Sequence, residues 1–193
     1  MENYAKWLSL DTELFRNFAG KRVLDLGTDK NARFAQDLEE AGIKTERVVS
    51  VSPAFTDEKV RSQMEKTSGM LVAAMGEALP FRDQSFDRVI SAHTIEFIDS
   101  YKRYVAFLKE TARVLAPGGV AYIGPIPDDF LQDEEGKYDP KKLPELEKIL
   151  GPDFRVEWKI QSSYGSMPLM VIPYTLVIER ISRQPGSMGA NEK

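Results

Sequence analysis

Apolar positions along the chain switch repeatedly between two spacings, and the switches mark out its elements. Val23, Leu24 and Leu26 form a compact apolar run that Gly27 stops. Thr28 to Asn31 are turn formers, and from Ala32 the apolar residues Phe34, Leu38 and Ala41 recur at helical spacing up to Gly42. This predicts a buried strand over 21–27, a tight turn and a helix. Arg47 to Val51 reads as a second strand ending at Ser52-Pro53, and 56–68 as a polar surface helix. Met70 to Met75 is a third strand, Glu77 to Ser85 a loop, and Phe86 to Ala92 a fourth strand. Ile98, Tyr101, Val105, Leu108, Ala112 and Leu115 step by three and four, the clearest helix in the chain. Pro117-Gly118-Gly119 ends it, and Val120 to Ile123 is a fifth strand.

Upstream, 3–19 reads as helix in two pieces, with Asp11 as an N-cap for the second. Downstream, 125–142 is an acidic, proline-rich loop and Leu143 to Leu150 a short helix. Arg155 to Ile160 and Leu169 to Ile181 then read as an antiparallel pair. The tail 184–193 has the composition of a disordered segment. Strand and helix thus alternate five times before two closing strands, which predicts a doubly wound α/β three-layer sandwich over 1–183. In such sheets ligands lie beyond the carboxyl ends of the strands, so Gly27 to Asn31 is the first place to look.

Composition narrows the chemistry. The 193 residues carry a net charge of −4 with dispersed basic residues, so there is no electrostatic footprint for nucleic acid or an anionic membrane. No cysteine and one histidine, His93, exclude thiolate chemistry, disulfides and multi-histidine or cysteine metal sites. No apolar stretch reaches membrane-spanning length and the N-terminus lacks a signal-peptide core, so a cytoplasmic protein is expected.

Three blocks occur in order: Val23-Leu-Asp-Leu-Gly27, Glu77-Ala-Leu-Pro-Phe-Arg-Asp-Gln-Ser-Phe-Asp87 and Glu110-Thr-Ala-Arg-Val-Leu-Ala-Pro-Gly-Gly119. Together they resemble the class I S-adenosylmethionine-dependent methyltransferases, in particular the small-molecule type 11 group, over about residues 22–124. The resemblance implies a seven-stranded, mostly parallel sheet of order 3-2-1-4-5-7-6 with the last strand antiparallel. It sets Asp25, Gly27, Asp29, Asn31, Ser52, Met75 and Glu77 along the cofactor cleft, with Asp25 organising the first loop through backbone N–H bonds. It also implies that the leading helices over 1–19 form a lid carrying Trp7. Tyr4, Trp7 and Tyr101, with Tyr138 and Tyr164, are candidates to line a substrate pocket, and the plainer alternative for most of them is a core or edge position.

The chain keeps Asp25 and Gly27 but departs from the family at the later cofactor positions. Asp29 and Asn31 stand where the first loop carries later glycines, Ser52 replaces the ribose-binding acid, and Met75 replaces the aspartate that meets adenine. A lost charged hydrogen bond costs about 1.5–3 kcal/mol, so S-adenosylmethionine affinity is expected to be weak or lost. His93 and Glu96 follow the fourth strand, where a base for a hydroxyl or amine acceptor is needed. The plainer alternatives are a strand-end hydrogen bond for His93 and a helix N-terminal position for Glu96. Two readings follow: a methyltransferase acting on a small molecule with weakened cofactor motifs, or an inactive methyltransferase-fold protein that binds a protein partner.

Overall fold

The computed structural model describes residues 4, 8, 12–28, 32–58, 60, 69–126, 142–160 and 174–182. Seven strands run in chain order: β1 (Arg22–Leu26), β2 (Arg47–Val51), β3 (Met70–Val72), β4 (Phe86–Ala92), β5 (Leu115–Ile126), β6 (Phe154–Ile160) and β7 (Tyr174–Arg180). The α-helices bounded within the described residues are α1 (Thr12–Arg16), α2 (Arg33–Glu40), α3 (Tyr101–Val114) and α4 (Lys142–Leu150). The strands form one sheet of order β3-β2-β1-β4-β5-β7-β6. β1 lies between β2 and β4, all parallel, whereas β7 runs antiparallel to both β5 and β6. This is the expected doubly wound arrangement.

The pleat explains the three layers. Leu24, Val49, Val89, Ile123 and Leu176 face one side and pack with Phe107 and Leu108 of α3 and Leu146 of α4. Their chain neighbours Val23, Val48, Ile90, Tyr122 and Val177 face the other, with Phe15 of α1, Phe18, and Phe34 and Leu38 of α2. Both faces are therefore apolar, as a buried parallel sheet requires. Burial of each large apolar side chain contributes about 1.5–3 kcal/mol. Leu8 also belongs to the second layer, and Thr175 Oγ1 on β7 donates to its carbonyl at 2.7 Å.

Several boundaries differ from those the apolar spacing suggests. α3 starts at Tyr101 rather than Ile98 because Ser100 caps it, its hydroxyl accepting the Arg103 N–H. Ile98 instead closes a 3-10 turn over Ile95–Phe97. β3 stops at Val72, short of Met75, because its only partner β2 ends at Val51 and the Ser52 N–H already takes the Val72 carbonyl. β5 is longer than 120–123: Leu115 already pairs with Phe86, and the register then shifts to Val120 opposite Arg88. Pro117-Gly118-Gly119 forms that irregularity, with Gly118 at φ 74°. The helix expected over 56–68, the 125–142 loop, the start of the last strand at Leu169 and the 184–193 tail lie mostly or wholly outside the described residues.

Candidate functional site

Four strand ends converge at the carboxyl edge of the sheet. The turn after β1 begins at Gly27, at φ 74°, and the Gly27 and Thr28 N–H groups both donate to Val51 O at the end of β2, at 2.9 and 3.2 Å. The first turn is thereby tied to the neighbouring strand β2. Asp25 is buried, and Ser50 Oγ donates to its carboxylate at 3.5 Å. Thr28, which the sequence marks only as a turn former, is 4% exposed, and its hydroxyl has no hydrogen-bond partner among the described residues. Asp29 and Asn31 lie outside the described residues, and the N-cap of α2 is Ala32, at φ 42° without a side-chain cap.

The expected ribose and adenine positions carry uncharged side chains. Ser52 is buried, and its hydroxyl accepts the Ala54 N–H at 3.3 Å, capping a 3-10 turn over Pro53–Thr56. Met75 is 44% exposed in the loop after β3. Glu77 is held by Arg103 of α3 at 2.7 Å, and Arg103 is shared with Asp99 at 3.0 Å. Glu77 therefore ties its loop to α3.

A second clamp joins the two blocks downstream of β3. Glu110 accepts the Leu79 N–H at 2.8 Å and both Nε and Nη2 of Arg113, while Arg113 donates to the Leu79 and Phe81 carbonyls and to Asp83. The Arg113 hydrogen bonds hold the Glu110 carboxyl below its ordinary range, and the carboxylates beside it push the Arg113 guanidinium up. The i,i+3 spacing of Glu110 and Arg113 was the sequence signal for this clamp.

His93 and Glu96 are brought together. His93 leaves β4 at φ 56°, its N–H donates to Gly124 O at 2.9 Å, and its Nδ1 lies 3.1 Å from Glu96 Oε1. Glu96 sits in the 3-10 turn that precedes α3, so its place is beside the imidazole and not at the long helix's N-terminus. Both side chains are partly open to solvent. Of the expected pocket aromatics, Tyr4 is a core residue: it is 5% exposed and its ring packs 4.8 Å from that of Phe34. Tyr101 is on the surface, where its hydroxyl donates to Glu145 of α4 at 2.9 Å. Trp7, Tyr138 and Tyr164 lie outside the described residues. No helix among the described residues is long and apolar enough to cross a membrane.

The family described as "Methyltransferase domain" matches residues 24–123. A Mus musculus protein named "Probable tRNA methyltransferase 9B" is 54% identical over 41 residues, 21% of this chain and 9% of that protein. A Mycobacterium ulcerans protein named "Probable phthiotriol/phenolphthiotriol dimycocerosates methyltransferase 2" is 32% identical over 104 residues, 53% of this chain and 38% of that one. The chain thus aligns with less than half the length of either relative. A solved SAM-dependent methyltransferase from Methanosarcina mazei superposes with a TM-score of 0.64 at 15% identity, covering 88% of this chain and 98% of that one.

Proposed function

The chain belongs to the methyltransferase-domain family, and from that premise we propose that it moves a methyl group from S-adenosylmethionine to a hydroxyl or amine of a small molecule, with weak affinity for the cofactor. The observation that carries this reading is the His93–Glu96 pair, 3.1 Å apart at the carboxyl end of β4. When Nδ1–H donates to Glu96, the tautomer is set and Nε2 is the basic nitrogen. Nε2 takes the proton of the acceptor group and passes it to solvent, to which the imidazole is partly open. Bound S-adenosylmethionine supplies an electrophilic methyl. The net charge of −4 supports a small acceptor over a nucleic acid.

The described residues fit the cofactor in part. The buried Thr28 hydroxyl beside Gly27 is an orphaned polar atom in the first loop, which a polar ligand group would satisfy. Gly27, Thr28, Ser52 and Met75 would hold the cofactor. No carboxylate stands at 52 or 75, and the Ser52 hydroxyl already accepts a backbone N–H. Two missing charged hydrogen bonds, at about 1.5–3 kcal/mol each, put the Kd above roughly 100 μM. Calorimetry with S-adenosylmethionine and S-adenosylhomocysteine tests this directly, and saturation at low micromolar ligand would overturn the weak-affinity reading. For the base, turnover of labelled cofactor against a panel of phenols and amines should fall roughly 10²–10⁴-fold in His93→Ala, with the melting temperature little changed. Parallel loss of stability and activity would make His93 structural.

A second reading is a protein that keeps the fold as a binding partner without using the cofactor. The engagement of Ser52 in a cap and of Glu77 with Arg103 favours it. Calorimetry without heat at millimolar ligand would select this reading.

A further inference from the structure

Gly27 is a glycine for a reason beyond its φ of 74°. A Cβ built there would lie 2.0 Å from Thr94 Oγ1, 2.6 Å from its Cγ2 and 2.8 Å from its Cβ. The Thr94 side chain therefore fills the face of Gly27 that a side chain would occupy, and the loop after β4 is keyed into the first turn. Thr94 Oγ1 donates to Leu26 O at 3.0 Å, and Ser91 Oγ donates to the same carbonyl at 3.1 Å. His93 lies between these two hydroxyl residues. Its own N–H is tied to Gly124 O on the opposite side, and its backbone holds φ 56°, a conformation costing about 1–2 kcal/mol outside glycine. Such a conformation persists only where the surroundings over-determine it.

We propose that Thr94 is a positioning residue: seated in the notch of Gly27 and bonded to Leu26 O, it fixes the backbone turn that presents the His93 imidazole to Glu96. The inference rests on the reading of His93 and Glu96 as the basic pair. It joins the first loop, where the cofactor would lie, to the base through one side chain, so a displacement of Gly27 moves Thr94 and with it His93. Ser91 shares the carbonyl but precedes His93, on the regular part of β4, and so anchors the strand without setting the turn.

The single histidine makes the test clean, because one imidazole gives one set of ring resonances. The ¹⁵N-labelled full chain is studied at about pH 8.5, above the ordinary imidazole range. Long-range ¹H–¹⁵N correlation then reads which nitrogen carries the proton, with melting temperatures measured in parallel. Wild type should show predominantly the Nδ1–H tautomer, and Thr94→Ser should keep it. Thr94→Val, which replaces the hydroxyl at nearly constant shape, should lower the Nδ1–H to Nε2–H ratio several-fold. Thr94→Ala reads the same quantity should the valine not fold. Ser91→Ala should lower the melting temperature and leave the ratio alone. If the ratio in Thr94→Val and Thr94→Ala stays at the wild-type value, Thr94 only stabilises the fold and the inference fails. If wild type itself shows mostly Nε2–H, the His93–Glu96 reading fails first.

Discussion

Three residues other than glycine hold a positive φ among the described positions: Ala32 at 42°, Gln84 at 60° and His93 at 56°. Their meanings differ with their surroundings. Ala32 is buried against Phe55 and opens α2, and His93 carries the candidate base. Gln84 is exposed and its N–H donates to Arg113 O, a bond that any residue could make. Gln84→Gly should therefore relieve strain without losing contacts, and raise stability by about 0.5–1 kcal/mol in urea titration at unchanged m-value. Acid sensitivity also belongs to single residues. Arg22 donates from Nε, Nη2 and its backbone N–H to Asp87, and these bonds hold the Asp87 carboxyl below its ordinary value of 3.8. Arg113 does the same to Glu110, ordinarily 4.5. Because both folded values are depressed, their stabilisation is complete above the ordinary values and is lost as pH falls through the lower folded ones. The melting temperature should drop on acidification below about pH 4.5, and Asp87→Asn and Glu110→Gln should each shrink that drop.

At the scale of elements, the two downstream blocks of the three that carry the family resemblance prove to be halves of one clamp. Leu79 to Asp83 is strapped to α3 by Glu110 and Arg113, and Glu77 is strapped to it by Arg103. Gly76 lets the loop lie against α3, since a Cβ there would meet the Phe107 ring at 2.6 Å. Glu110→Ala should cost roughly 1.5–3 kcal/mol, because it leaves the Leu79 N–H without its acceptor and removes one of the two carboxylates paired with Arg113, which keeps Asp83 and two carbonyls. Urea unfolding measures the loss, and faster amide exchange at Leu79 localises it. An exchange rate unchanged from wild type would mean that the apolar contacts of the loop hold it without the clamp. The same segment separates what spacing reveals from what it hides. Helical periodicity found α3 but ran three residues too far upstream, since Ile98 keeps step with the stripe while Ser100 ends the helix by capping it.

For the whole molecule, acidic and glycine residues placed at the strand ends test the proposed cofactor cleft. Aspartate caps a helix as well as serine does, so Ser52→Asp can keep the bond to the Ala54 N–H with one oxygen and offer the other to a ribose. Met75 is exposed, so an aspartate there stays hydrated when the cleft is empty. The variant combining Asp29→Gly, Asn31→Gly, Ser52→Asp and Met75→Asp should bind S-adenosylmethionine at least tenfold more tightly than wild type by calorimetry. It should be less stable when empty, by about 0.5–1 kcal/mol for each new glycine. A folded variant without improved affinity would favour the binding-partner reading.

The sequence by itself determined the architecture. Period-two and period-3.6 runs locate strands and helices because burial on one or both faces imposes those spacings locally. The three blocks then carried the sheet order, which the structure reproduces down to the antiparallel β7. The sequence also pointed to His93 and Glu96, since residue type and strand-end position are local properties. Tertiary structure alone decided who binds whom. The Gly27 and Thr28 amides go to Val51 O, Ser52 spends its hydroxyl on its own turn, and Tyr4 packs into the aromatic core. Thr94 enters the notch of Gly27 from 67 positions along the chain (94 − 27). Such contacts depend on side-chain directions and on strands brought together by the sheet, and no periodicity along the chain records them.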